Sequence, residues 1–300
     1  MEQDRLLLID GFNLLSRGYF ATAYNKTEDQ LPKNSKGMYT NALRIFLQKI
    51  IHLINEHGIS HVAVAWDVKR EETDRRIKYD FYKETRNELP YPLIEQYETL
   101  TMILDKIGVT QLVVPPHEAD DIIGSLSSKW SNEKASPCFI YSNDKDLFQL
   151  LNKHTSQIIA QKRKETLYTI EHFRMEYGIE STQWIDVKAL LGDTSDNIPG
   201  CPGVGVKSAL PLIQQYETVE KLFVELDQLE PTFKRYKKKL VEGRDSVQIS
   251  KELVTINREI PFITNVKLTD LSIALEQQQI RDILNEYELN VRIYLPQENK

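Results

Sequence analysis

The stretch RLLLIDGFNLL (residues 5–15) sets an aliphatic run, Leu6 to Ile9, directly against an acid, Asp10. A short uninterrupted apolar run closed by charge reads as a strand buried on both faces, the habit of a parallel sheet. The pattern returns in HVAVAWD (61–67), which ends on Asp67, and in CFIYSNDKD (138–146), which carries Asp144 and Asp146. QLVVP (111–115) and SQIIA (156–160) are two further strand-like runs. Between them lie segments of helical spacing. In ALRIFLQKIIHLINEH (42–57), Leu43, Phe46, Leu47, Ile50, Ile51 and Ile54 form one apolar stripe. Strands alternating with helices imply an α/β fold with a mostly parallel sheet covered on both faces.

This pattern holds to about residue 175. Helical patterns then take over in STQWIDVKALLG (181–192), VKSALPLIQQY (206–216), ETVEKLFVEL (217–226), SKELVTIN (250–257) and LSIALEQQQIRDILNEY (271–287), giving a smaller helical domain over 176–300. Residues 68–92 are long, charged and poor in core residues, which marks a lid or arch rather than packed structure.

The bulk properties are those of a soluble globular protein: 41% hydrophobic and 27% charged residues in a chain of 300. No apolar stretch has membrane-spanning length, and MEQDRLLLID reaches its aspartate too soon for a secretory leader, so a cytoplasmic protein is expected. Cys138 and Cys201 make neither a disulfide framework nor a metal spacing. The net charge of −6 conceals an uneven distribution. Without nine carboxylates at element ends it becomes +3, and cations cluster at Lys69–Lys78, Lys162–Lys164 and in KRYKKK (234–239). Such clusters beside an acidic crevice suit phosphate contacts.

Those nine acids carry the chemistry. They are Asp10, Asp67, Asp144 and Asp146, with Glu118, Asp120 and Asp121 in PPHEADDII (115–123) and Asp193 and Asp196 in LGDTSDN (191–197). Singly, each is explained as a cap or turn former. Together they converge, because side chains at strand ends and helix starts project into the crevice beyond the carboxyl ends of a parallel sheet. Like charges so gathered disfavour ionisation and call for a counterion. The six histidines are scattered without zinc spacing. An all-oxygen set favours Mg²⁺ or Mn²⁺, and two such ions can clamp the attacking and leaving oxygens of a phosphodiester.

NIPGCPGVGVKSA (197–209) has Gly200, Gly203 and Gly205 followed by Lys207, a tight turn feeding a helix. A nucleotide P-loop fails on spacing, since Val206 separates Gly205 from Lys207 and no strand precedes it. A helix–hairpin–helix gripping a nucleic-acid backbone through free N–H groups remains, beside a plain glycine-rich connector. In YDFYKETR (79–86), Lys83 and Arg86 are three apart on an expected helical face, with Tyr79, Phe81 and Tyr82 available to stack on unpaired bases. Trp130 and Trp184 are assigned to core packing.

In order, LIDGFNLLSRGYFA, AWD, YKETR, PHEADDIIGSL, YSNDKDLFQLL, LLGDTSDNIPGCPGVGVKSA and SKELVTINREIPF resemble the bacterial and phage 5′-3′ exonuclease and flap endonuclease family, over about residues 5–262. The resemblance extends to the N-terminal nuclease region of DNA polymerase I. It implies a PIN-like nuclease domain, a helical arch near 68–92 and a helix–three-turn–helix DNA-binding domain. The expected activity is hydrolysis of 5′ flaps, nicked duplexes or free 5′ ends, including RNA–DNA hybrids, in replication and repair. By resemblance, Asp10, Asp67, Glu118, Asp120 and Asp144 belong to a first metal site and Asp146, Asp193 and Asp196 to a second. Asp121 lies nearer the outer shell. Lys83 and Arg86 are the arch cations that act on the scissile phosphate, and Gly203, Gly205 and Lys207 form the hairpin, with a potassium ion implied there; Tyr82, from its place among the arch aromatics, is expected to contact DNA. A catalytically idle DNA-binding protein and a PIN-type ribonuclease are the competing readings.

Overall fold

The computed structural model describes residues 3–161 and 164–293. Six strands form one sheet in the order β3-β2-β1-β4-β5-β6: β1 (Leu6–Asp10), β2 (His61–Ala65), β3 (Thr110–Leu112), β4 (Cys138–Tyr141), β5 (Thr155–Gln161) and β6 (Lys164–Tyr168). The first five are parallel; β6 pairs antiparallel with β5. The five expected strands are present, β3 ending short of Val113. KETLY, the sixth, is mostly polar and lies on the sheet edge, so it gave no apolar signal.

Alternation along the central strand divides two cores. Leu7 and Ile9 pack with Val62 and Val64 against α1 (Gly11–Ala23), α2 (Asn41–His57), α4 (Tyr91–Ile107) and the C-terminal segment. Leu6 and Leu8 pack with Ala63 and Ala65 on the other face, against α5 (Ala119–Glu133) and residues 256–271. The α3 helix itself is one short turn, Asp74–Lys78, within the arch. All six residues of the expected α2 stripe are buried, and the helix ends on Gly58 in the left-handed region, where glycine has no steric penalty.

A third core assembles α6 (Ile170–Tyr177), α7 (Trp184–Leu191), α8 (Val206–Tyr216), α9 (Val219–Val224), α10 (Lys237–Glu242) and α11 (Arg244–Val254). The chain then leaves it. Ile256, Ile260, Ile263, Leu268 and Leu271 join the core under α5. The short α12 (Pro261–Thr264) lies on this path, and α13 (Gln277–Glu286) buries Ile280, Ile283 and Leu284 with α2 and α4. Hydrogen bonds from Asn34 to the Tyr287 carbonyl and from the Ser35 backbone to Glu288 fasten the return. The expected helical domain of 176–300 is therefore corrected. The separate helical unit ends near residue 255, because the apolar faces beyond it are buried on the nuclease sheet. Lys162, Arg163 and 294–300, which belonged to the expected basic cluster and domain, lie outside the described residues.

Strand order reverses between β1 and β4, the place where open α/β sheets leave a crevice at their carboxyl ends. Asp10 pairs in register with Ala65, and Ile9 with Tyr141, so the three strand ends are level. Gly11 allows the turn from strand to helix there: a Cβ on it would lie 2.7 Å from Trp66 Cδ2. Alanine normally favours a helix over glycine. Here Gly11→Ala should instead destabilise the metal-free protein by about 1–3 kcal/mol in urea unfolding, through overpacking against Trp66; unchanged or increased stability would refute this packing argument.

Candidate metal centre

The acids at the sheet end are fixed by neighbouring polar groups before any counterion is considered. Asp10 caps α1, accepting the Asn13 N–H at 3.1 Å, and takes the Ser142 hydroxyl at 3.0 Å. Asp67 accepts the Ala119 N–H at 2.8 Å, which ties the end of β2 to the start of α5. Asp120 stands in the first turn of α5. Asp144 accepts the Asp146 N–H at 2.8 Å, so NDKD is a turn entering a short 3₁₀ segment. Capping and convergence thus coexist in the same side chains. Asp10, Asp67, Glu118, Asp120, Asp144, Asp146 and Asp196 all line one crevice of about 730 Å³.

Burial pushes the Asp10 carboxyl up to about 7, with Asp67 and Asp144 adding repulsion. Asp120 is held well above the carboxylate range by burial and by Asp144, Asp10 and Asp67. Burial also raises Asp67, against the opposing pull of Lys83. Asp146 is raised to about 6 by burial and Asp144, with Lys188 opposing. Crowded oxygen donors with no histidine or thiol among them fit a hard divalent ion, which would offset the negative charge that burial and repulsion disfavour there.

Two acids stand apart from the crevice lining. Asp121 is clamped by Arg75, whose Nη1 and Nη2 reach its two oxygens at 2.6 and 2.8 Å. It also accepts the Asn257 and Glu118 N–H groups. Burial would raise Asp121, but Arg75 holds it below the usual range. Expected nearer the outer shell, Asp121 has both oxygens committed to Arg75 and to backbone N–H groups. Asp193 and Asp196 lie in a closed turn, not on a helical face, because Asp193 and Ile198 exchange backbone hydrogen bonds at 2.9 and 2.8 Å. Asp193 accepts from Ser195 N–H and hydroxyl and pairs with Lys188. Asp196 faces the crevice.

The arch departs from expectation in form. Residues 79–86 make successive turns, with Lys83 at φ 54°, rather than a helix. The backbone N–H of Lys83 donates to the Asp196 carbonyl at 2.9 Å. Its ammonium contacts Glu118 Oε1 at 2.8 Å, and the Arg86 Nε donates to Asp196 at 3.0 Å. Burial disfavours the charged lysine, yet Glu118 and its neighbours raise it. Lys83 and Arg86 therefore do meet at the crevice, through a turn. Tyr82 is buried and its hydroxyl donates to Glu118 at 3.0 Å, so its expected stacking on bases is corrected to support of Glu118.

The hairpin places Gly203 (φ 80°) and Gly205 on the surface, Gly205 as the residue before α8 and Lys207 in its exposed first turn. Buried Cys201 and Val204 anchor it. Lys239 donates to the Gly203 carbonyl at 3.0 Å. Sequence reading missed Lys188, on α7, which contacts Asp146 at 2.8 Å and Asp193 at 3.0 Å. It also missed Arg17, which lines the crevice one helical turn beyond Asn13 and whose buried Nη1 has no hydrogen-bond partner among the described residues. Its spacing from Asp10 and Asn13 on one helix was the available signal. A separate surface group, His52, Glu56 and Glu165, also brings possible ligands together, but Lys49 is already paired with Glu165.

The two halves of the chain match described families. Residues 5–178 match the 5′-3′ exonuclease N-terminal resolvase-like domain, and 179–279 the 5′-3′ exonuclease C-terminal SAM fold. A 5′-3′ exonuclease of Halalkalibacterium halodurans is 58% identical, covering 98% of this chain and 97% of that one. DNA polymerase I of Bacillus subtilis is 36% identical over 88% of this chain but only 29% of the polymerase. A solved structure of the bacteriophage T5 flap endonuclease with DNA and metal ions shares the fold, at TM-score 0.64 and 21% identity, covering 95% of this chain and 99% of that one. With both domain matches and a relative this similar along nearly its whole length, the chain belongs to the 5′-3′ exonuclease family of metal-dependent nucleases.

Proposed function

We propose that the protein cleaves phosphodiester bonds at 5′ flaps, nicks and free 5′ ends of DNA, RNA primers included, in replication and repair, using two Mg²⁺ or Mn²⁺ ions. The observation that carries this reading is one crevice lined by seven carboxylates and overhung by an arch bearing Lys83 and Arg86. Asp10, Asp67, Asp120 and Asp144 would hold the first ion with Glu118 beside it, and Asp146, Asp193 and Asp196 the second. When bound, such ions activate water and offset charge on the phosphate.

The chain's own groups supply position and charge. Lys83 and Arg86, now on Glu118 and Asp196, stand where a phosphate at the crevice would compete for them, and cations so placed stabilise charge developing in the transition state. Arg17, on the same crevice, has one guanidinium nitrogen, Nη1, without a hydrogen-bond partner among the described residues. Outside it, the N–H groups at Gly203 and Gly205, Lys207 and the lysines around α10 suit the phosphates of duplex DNA without reading sequence. The hairpin fits potassium less well, since the Gly203 carbonyl already accepts the Lys239 ammonium. No described helix is long and apolar enough to cross a membrane; a cytoplasmic location accords with work on replicating DNA.

Asp144→Ala should lower cleavage of a 5′-labelled flap by at least about 10³-fold, a transition-state loss of about 4 kcal/mol. Flap binding in chelator should stay within about threefold. Tight binding with no product from the unaltered protein in Mg²⁺ or Mn²⁺ would instead mark an idle DNA-binding protein, and preference for all-RNA hairpins a ribonuclease. Folding also responds to pH. Asp10, raised from 3.8 to about 7, binds more protons folded than unfolded, so its contribution is complete below about pH 4 and lost as pH rises through about 7. In chelator, the melting temperature should fall by at least about 3 °C between pH 5 and 8. Saturating Mg²⁺ should abolish that fall; a flat chelator profile would contradict the buried-acid account.

A further inference from the structure

Arg75, Lys83 and Arg86 approach the acids from the arch. Lys188 comes instead from α7 of the helical unit, and ends between two acids that belong to different parts of the chain. Its Nζ lies 2.8 Å from Asp146 Oδ1, at the end of the β4 turn, and 3.0 Å from Asp193 Oδ2, in the turn after α7. The contact is well shielded, with the lysine side chain 13% exposed. The other Asp193 oxygen is held by Ser195 N–H and hydroxyl, at 2.8 and 2.6 Å. Lys188 thus takes the one Asp193 oxygen that Ser195 leaves, and an oxygen of Asp146 with it.

We propose that Lys188 is a positioning residue whose ammonium occupies the place between Asp146 and Asp193 that a second divalent ion must take, so that lysine and ion compete and the lysine sets the affinity of that site. The proposal rests on the assignment of Asp146, Asp193 and Asp196 to a second ion. A divalent ion bonds to carboxylate oxygens at about 2.0–2.6 Å. An ammonium within hydrogen-bonding distance of the same oxygens would face it at close range, and like charges so near each other in a shielded site repel strongly.

The competition is asymmetric between the sites. None of Asp10, Asp67, Asp120 and Asp144 has a salt-bridge partner among the described residues, whereas Asp146 and Asp193 share one. At the first site the cations stop at Glu118, which Lys83 contacts at 2.8 Å and Arg75 at 3.2 Å; at the second, Lys188 sits directly on two of the acids. An ion at Asp10, Asp67, Asp120 and Asp144 therefore displaces no cation from those four acids, whereas an ion between Asp146 and Asp193 must expel Lys188. Until then Lys188 keeps the two acids together and joins α7 to the sheet end.

The alternative is that Lys188 only anchors α7. The two are separated by Mn²⁺ titration of metal-free protein without DNA, with free Mn²⁺ measured by electron paramagnetic resonance. The unaltered protein should bind one ion tightly and one more weakly. Lys188→Met should tighten the second dissociation constant by at least about tenfold, as expected for removal of a nearby like charge, and leave the first within about threefold. Lys188→Arg, which keeps the charge, should leave the second site weak. A second constant unchanged or weakened in folded Lys188→Met would overturn the competition. Binding of a single ion by every form would remove the two-ion reading itself, a different failure.

Should Lys188→Met not fold, the unaltered protein gives the same answer. In a Mg²⁺ titration followed by lysine ammonium nuclear magnetic resonance, the Lys188 signal should move with the second equivalent and not the first. A signal unmoved at saturation would overturn the proposal.

Discussion

The repulsion among Asp10, Asp67, Asp120 and Asp144 is the constraint around which this protein is arranged. Carboxylates gathered at level strand ends oppose folding, and burial with mutual repulsion pushes the carboxyls of Asp10, Asp67 and Asp120 upward. They are held together by the sheet, whose apolar faces bury two separate cores, and by caps that would be needed at those helix starts in any case. A charge-dense crevice can persist because the cost is met by a large hydrophobic framework, leaving the acids ready for a divalent ion.

The cations are distributed around this centre by function. Arg75 is committed: it clamps Asp121 and donates to the carbonyls of Leu253 and Thr255, locking the arch to α5 and to the chain leaving α11. Lys83 and Arg86 hold single acids at the crevice edge and are exchangeable in principle for a phosphate. Lys188 holds two. One arch therefore contains both a fixed attachment, at Arg75, and two cations each held by a single acid.

The helical unit is joined to the sheet by chemistry as well as by chain connection. Its α7 sends Lys188 to Asp146, and the turn that follows sends Asp196 to the crevice while the hairpin beyond it opens to solvent. A duplex gripped at Gly203 and Lys207 would thereby be set at a fixed reach from the acids. The return of residues 256–289 onto the nuclease sheet holds that geometry from the other side.

Local pattern made much of this legible. Apolar runs, three of them closed by acids, located five strands, spacing located α2 and α8, and the glycine series located the hairpin, because each depends on residues close in sequence. Convergence of the acids followed from their placement at element ends. Other features depended on partners far along the chain. Asp120 and Asp121 are adjacent and chemically identical, yet one enters the crevice and the other meets Arg75, 46 residues away. Tyr82 looked available for stacking until Glu118 and the surrounding core buried it. Lys188 read as one more helical lysine, and the C-terminal helix as part of the preceding domain. Sequence alone determined which residue types stand at which element ends; tertiary structure decided which way each side chain faces and which opposite charge it finds, since orientation and ion pairing arise from contacts that local periodicity does not encode.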